Sequence, residues 1–444
     1  MTQIALLAVL LPAAAQDLAE YKIYTEPPRL LLNERRLKLL QRETTRNSLR
    51  WEQFQALMAG GATMSEPGFA GALYGAVAKN PEACRKASTW AATSDDLRQV
   101  ALACDWCKPS NRTSLVNRLK PLLSKPPANV TEARNITFAA VALADDEPDA
   151  SARALRGVIE GWWRGKMVPV LESGRNPFRD RAEVYALMEL LHAIRDNLRI
   201  EMRDDARRFF DDLPALEMLT YYPASWPTPE NQYRVPVYDA PGEPDLREAT
   251  LGRAADLALV ASDTNSQPNQ FLQGWLMLDR FLMRSALGIP YEFLWANPYQ
   301  PGLSYYYMPE LYHAHGKLIL RSSWDEDATW FSYENGQAQM FREGQRIGLR
   351  LGANPAPIEL GDIRLVFPPS GLRFEVGLKP PTEDEPKNKE ELVFVLNLKP
   401  KQKYDVEVDN EEMFEASADE AGILELRFPK NRKAGVRLKE VRAL

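Results

Sequence analysis

The sequence predicts an α+β multidomain protein in which a long helical region precedes an antiparallel β-sandwich. Apolar residues recur at three- and four-residue spacing from about residue 30 to 290, and alternating strands separated by turn residues take over from about Lys317. The seam between the two patterns, residues 291–336, holds twelve aromatics in 46 residues, where a chain averaging 9% aromatic would place about four. With 444 residues and 45% hydrophobic content, the chain can bury a large core and divides into more than one domain.

Taken in order, the first segment reads MTQIALLAVLLPAAAQ. Its apolar run Ile4–Leu11 and the following Ala13-Ala14-Ala15 predict a secretory signal at 1–15, although no Lys or Arg precedes the run. No stretch approaches the roughly 20 apolar residues of a spanning helix, so no stable membrane anchor is expected. Helical spacing then marks Leu32–Arg46, Leu49–Met58, Leu97–Cys107, Ile136–Asp145, Ala152–Arg164, Ala182–Asp196, Leu246–Val260 and Gln270–Leu287. Such helix pairs stack as a solenoid or close as a ring, and the lack of a fixed repeat of roughly 34 or 40 residues favours the ring.

Within the helical half, Pro214 to Pro244 has seven prolines together with Tyr221, Tyr222, Trp226, Tyr233 and Tyr238. It reads as a proline-stiffened loop across the mouth of the ring, offering Tyr222, Trp226 or Tyr233 to a ligand. Strands are expected at Lys317–Ser322, Thr329–Tyr333, Ile347–Leu351, Ile363–Phe367, Leu372–Val376, Leu392–Leu398, Tyr404–Val408, Ile423–Phe428 and Val436–Val441. The charged, proline-containing segment 379–391 lacks apolar content and predicts a linker. The resulting division is a helical domain at 16–300, a β-sheet domain at 301–378 and a small β-module at 392–444.

Cys84, Cys104 and Cys107 allow one disulfide and one leftover thiol, which suits export. Cys104-Asp-Trp-Cys107 has redox spacing but a helical context. Asn111, Asn129 and Asn135 head glycosylation sequons. A net charge of −6 leaves no electrostatic footprint for nucleic acid, and an acidic glycan would need a local basic cleft in this acidic surface. The aromatic seam suits the C–H faces of sugar rings, with Tyr306 and His313 as contacts.

The helix Arg181–Arg203 holds the sharpest constellation. Val184, Leu187, Leu191, Ile194 and Leu198 form its core stripe, and one residue further round lie Arg181, Tyr185, Met188, His192, Arg195 and Arg199. Tyr185 and His192 are therefore expected at the border between core and open space, two turns apart, as the catalytic pair. A tyrosine activated by nearby cations such as Arg175, Arg179 and Arg181 can act as base and acid in β-elimination on a uronic-acid polymer.

Arg321-Ser-Ser-Trp-Asp-Glu-Asp-Ala-Thr-Trp-Phe-Ser-Tyr-Glu-Asn-Gly336 resembles the first β-hairpin after the helical domain in heparinase II/III-like polysaccharide lyases. Pro28-Arg-Leu-Leu-Leu-Asn-Glu-Arg-Arg-Leu-Lys-Leu-Leu40 is similar to that family's first helix. The resemblance implies an incomplete (α/α) toroid followed by the β-sandwich. It also implies a catalytic tyrosine after an acidic, glycine-containing turn, loosely matched by Glu172-Ser-Gly174 and Tyr185, and a helical asparagine facing the substrate carboxylate, best matched by Asn135.

The chain departs from the family after the hairpin, where a His- and Asp-bearing strand is replaced by Gln337-Ala-Gln-Met-Phe-Arg-Glu-Gly344. His192, His313 and His315 are its only histidines. No metal or cofactor is expected, and the G-x-S-x-G, Walker and G-x-G-x-x-G signatures are absent. The expected function is an exported, secreted or periplasmic carbohydrate-active protein that acts on a polysaccharide or oligosaccharide, with lyase chemistry as the first reading. A catalytically inactive glycan-binding or envelope-associated protein is the alternative, and a two-carboxylate glycoside hydrolase is the third.

Overall fold

The structure, a computed structural model, describes residues 18–441 except 179, 228–231, 239–242, 279–284, 298, 315, 335, 352–355, 368–371, 379–385, 387–388 and 431; the side chains of 226–227, 232–235 and 278 are also outside the description. The expected signal segment lies outside it. The described chain is α+β, helical first and strand-rich after residue 310. None of its helices is long and apolar enough to cross a membrane.

Six helices form a cyclic packing order. Pro67–Val77 packs on Leu97–Cys107, and the contacts continue through Val130–Ala142, Arg181–Leu198, Leu246–Ser262 and Gly288–Trp295, which returns to Pro67–Val77. Side chains at their ends start them: Asp96, Asn129, Asp180 and Asp245 each accept a backbone N–H of the first turn. Pro67–Val77 has no apolar stripe because it is buried almost all round. Its glycines allow close approach to the neighbouring helix Pro81–Ala91: a Cβ at Gly75 would sit 2.6 Å from the Cys84 sulfur, and one at Gly68 2.3 Å from the Trp90 ring. Cys84 and Cys107 form a disulfide and Cys104 is a buried thiol.

The proline-rich segment is not a structureless loop. Pro214 lies inside the helix Arg207–Leu219, and β1 (Tyr221–Pro227) pairs with β2 (Gln232–Pro236) as an antiparallel hairpin. Alternating Tyr, Trp and Val residues supply the β-propensity that the proline count obscured.

The sheets stack in layers. Strands β3 (Leu311–Ala314), β4 (Lys317–Arg321), β5 (Trp330–Glu334), β6 (Gln337–Arg342) and β7 (Gln345–Leu349) form a five-stranded antiparallel meander. One face, with Ile319, Trp330 and Phe341, joins the helical core; the other, with Leu318, Phe331 and Tyr333, packs on a second sheet. That second sheet is ordered β14-β11-β9-β8, from Leu424–Pro429, Glu390–Val395, Ile363–Val366 and Ile358–Leu360. The third, β10-β15-β12-β13, comprises Arg373–Val376, Ala434–Glu440, Lys403–Val408 and Glu412–Ser417.

The middle layer explains the apolar run Val393-Phe-Val-Leu396. Val393 and Val395 face the third sheet, while Phe394 and Leu396 face the first. The expected boundary at 379–391 is not where the sheets divide. β9 pairs in parallel with β11 and β10 pairs with β15, so strands from both sides of the segment share sheets. Most of the aromatic seam is core: of its twelve rings only Tyr299, Tyr306 and Tyr307 are exposed.

Candidate functional site

A cleft of about 580 Å³ lies at the C-terminal ends of three ring helices. Arg195 and Asp196 come from Arg181–Leu198, Val260–Ser262 from Leu246–Ser262, and Trp295 closes Gly288–Trp295; the helix Glu34–Arg46 lies across them. Its lining includes Arg35, Arg36, Arg42, Arg46, Arg50 and Arg195 against the three carboxylates Glu43, Asp196 and Asp263. In a chain of net charge −6, this is the local basic cleft that an acidic ligand requires.

The arginines divide into two sets. Arg195 donates to the Ser262 carbonyl at 2.5 Å and pairs with Asp196 at 3.2 Å, while Arg50 pairs with Glu43 at 3.2 Å and donates to the Glu292 and Ala296 carbonyls. Arg36 donates to the Leu31 carbonyl, and its guanidinium lies 4.4 Å above the Trp295 ring. Arg195 and Arg50 satisfy helix-end carbonyls, Arg36 is held by Leu31 and the Trp295 ring, and the three form the walls. Arg35, Arg42 and Arg46 are exposed and make no ion pair among the described residues. Asp263 is occupied by the backbone N–H groups of Asn265 and Ser266.

The expected catalytic pair lies behind this cleft, not in it. Tyr185 is 2% exposed, its hydroxyl accepts from Trp295 Nε1 at 3.0 Å, and its ring meets Tyr291 edge-on. Burial, and then the nearby Glu189 carboxylate, raise its pKa well above the ordinary 10.0, opposite to the activation expected. His192 is 1% exposed. Its Nδ1 accepts from Arg195 at 2.9 Å, so the proton is on Nε2, which donates to the Ala258 carbonyl at 2.9 Å. Burial, followed by Arg36 and Arg195, lowers its pKa well below 6.5 and keeps it neutral. Both residues touch Trp295, which covers them from the cleft side. Tyr185 and His192 do share one helix face, but that face is not open, because the helix Gly288–Trp295 covers it.

The other expected residues scatter. Asn135 is mid-helix and accepts from Arg134 at 2.9 Å; it does not open the helix, which starts at Val130. Arg175 is exposed and donates to the Ser173 hydroxyl. Arg181 pairs with buried Glu217 at 2.5 Å and lines a separate, carboxylate-rich pocket against the five-stranded sheet. Tyr222 is buried, stacks on Phe341 at 4.9 Å and hydrogen-bonds Gln339, so it is cladding between hairpin and sheet. The backbones of Trp226 and Tyr233 are paired across the hairpin, but their side chains, like Arg179 and His315, lie outside the described residues. Tyr306 is exposed and stacked on Tyr305. Among the described residues no group of three or more His, Cys, Asp or Glu is arranged to hold a metal ion.

The sequence matches no protein-family model and no curated protein.

His313 has a different setting from the one expected. Its ring bridges two carboxylates, Nδ1 to Glu425 at 3.1 Å and Nε2 to Asp419 at 3.2 Å, tying β3 to β14 and the turn before it. Burial alone would lower its pKa, but the carboxylates outweigh it and raise the value above 6.5, while Asp419 and Glu425 are held below their ordinary values. The His313 contribution is therefore complete below pH 6.5 and fades as pH rises through the raised folded value; the carboxylate contributions fade on acidification. His313→Gln is expected to cost about 1–3 kcal/mol at mildly acidic pH and much less in alkali. Chemical denaturation at pH 6 and pH 9 checks this, and an equal loss at both contradicts it.

Proposed function

We propose that this protein is a glycan-binding protein of heparinase II/III-like architecture, an (α/α) toroid with a β-sandwich, that holds an acidic, uronate-type polysaccharide in the arginine cleft without elimination chemistry. One observation carries the reading: six arginines line a single cleft of an acidic chain, and three of them have no partner among the described residues. The cyclic packing of six helices supports the toroid, and the stack of three sheets supports the sandwich. Arginine forks suit planar carboxylates and sulfates, which they meet with two parallel hydrogen bonds. The burial of Tyr185 and His192 favours binding over catalysis. Export to an oxidising compartment is supported by the Cys84–Cys107 disulfide.

The test is calorimetric titration with alginate, pectate and heparan sulfate, with a neutral glucan and an oligonucleotide of matched charge as controls. Binding to an acidic glycan in preference to both controls, with no rise in the ultraviolet absorbance of unsaturated product, is the expected result. Arg42→Glu should weaken it by about tenfold or more, since a charge-assisted contact is lost and a repulsive one gained. Absorbance growth would restore the lyase reading, and preference for the oligonucleotide would overturn the glycan.

A further inference from the structure

The first helix of the cleft carries a row that the wall residues do not explain. Arg35, Leu39, Arg42 and Arg46 stand at 0, 4, 7 and 11 along Glu34–Arg46, which places them within one narrow face of the helix. All four line the cleft and all four are exposed. At 1.5 Å per residue the three guanidinium groups are anchored along about 16 Å of helix axis. Arg42 and Arg46 are like charges one turn apart, an arrangement that opposes helix formation, and the nearby carboxylate, Glu43, is paired with Arg50 instead. Each carboxylate of the cleft is already engaged: Glu43 by Arg50, Asp196 by Arg195 and Asn33, and Asp263 by backbone N–H groups. The neighbouring residues on the helix, Arg36, Leu40 and Glu43, turn inward and fix it to the ring, so the outer row is presented on a firm support.

We infer that this row reads charge spacing, so that the ligand is a linear polyanion with an anionic group on successive units, held by at least three of them along Arg35, Arg42 and Arg46, and not a single acidic sugar or a chain end. Leu39, 44% exposed between the first two arginines, offers an apolar contact to the body of the intervening unit, and the exposed Tyr299 lines the same cleft beside Glu43. The inference rests on the arginine cleft being the binding site, and it adds the length and linearity of what binds there.

Affinity for oligouronates of one to six units, measured on the full chain at several salt concentrations, tests it. Affinity should rise at least tenfold from one unit to three or four and then level off, and binding should fall with salt as expected for release of about three counterions. Arg35→Ala, Arg42→Ala and Arg46→Ala should each lower the affinity for the hexamer severalfold, flatten the salt dependence by about one ion, and weaken monomer binding far less. Because all three side chains are exposed, melting temperatures should be unaltered. Equal affinity for monomer and hexamer overturns the charge row while leaving a uronate site in the cleft. A steep length dependence for polyglutamate with none for oligouronates upholds the row and removes the glycan. Failure of every polyanion to bind removes both.

Discussion

Glu189→Ala is expected to lower stability by about 3–5 kcal/mol, because it leaves buried Arg134 without a counter-ion and buried Arg98 with one of its two. Glu189 is fully buried at the middle of the helix Arg181–Leu198. Arg98 grips it with Nε and Nη2, at 2.9 and 2.6 Å, and Arg134 donates to the same carboxylate at 2.6 Å. The remaining Arg98 nitrogen reaches Glu66 at 3.0 Å, and Tyr291 donates to that Glu66 at 2.5 Å. Two acids and two bases thus balance inside the ring, joining four of its six helices with the residue that caps one of them. Burial alone would raise the Glu189 pKa, but Arg98 and then Arg134 outweigh it and hold the carboxylate ionised. Removing it therefore does more than delete two ion pairs. It leaves Arg134 with no carboxylate, only the Asn135 side-chain oxygen and the Phe138 face, and leaves Arg98 with Glu66 and the Phe69 face. The measurement is the denaturation midpoint of the helical transition, and a loss under about 1 kcal/mol would show that water reaches the pair.

That network marks the limit of what the sequence made legible. Glu189 and Arg98 are 91 positions apart, and nothing local distinguishes a buried ionic residue from a solvated one on a helix already rich in charge. The helix Arg181–Leu198 itself followed from apolar spacing, though its cap at Asp180 did not. So did most strands, where alternation matches the layer that each face meets. Pro67–Val77 did not follow, since a helix buried on all sides has no stripe to read. The hairpin β1–β2 was hidden by prolines that sit at its strand ends, at the irregular stretch between Tyr221 and Ser225, and in the preceding helix.

The site was misplaced for a related reason. The border position of Tyr185 and His192 is real as helix geometry, but whether a border is open depends on what packs there, and Trp295 arrives from more than a hundred residues away. The cleft left its own signal in the sequence. Arg35, Arg42 and Arg46 recur at helical spacing on a helix already recognised, and unpaired like charges on one face are a feature that local reading can find.

Trp295→Ala is expected to cost about 3–5 kcal/mol and to weaken acidic-glycan binding together with stability. Trp295 is 3% exposed, and it joins the fold to the cleft through three contacts. Its Nε1 donates to the Tyr185 hydroxyl at 3.0 Å, its ring lies 4.6 Å from His192, and the Arg36 guanidinium rests on its outer side at 4.4 Å. Alanine would remove the whole ring, leaving a cavity beneath Arg36 and opening His192, which orients Arg195 through Nδ1. Two of the three wall arginines then lose their support, so the free row on Glu34–Arg46 no longer faces a fixed opposite side. Trp295→Phe separates the two effects. It retains a ring under Arg36 but cannot donate to Tyr185, so stability should fall by about 1–2 kcal/mol for the unmade hydrogen bond while affinity stays within about threefold of the parent. If Trp295→Phe abolishes binding as completely as Trp295→Ala while the helical transition is nearly intact, the indole contacts the ligand directly, and the floor of the cleft is part of the binding surface instead of its support.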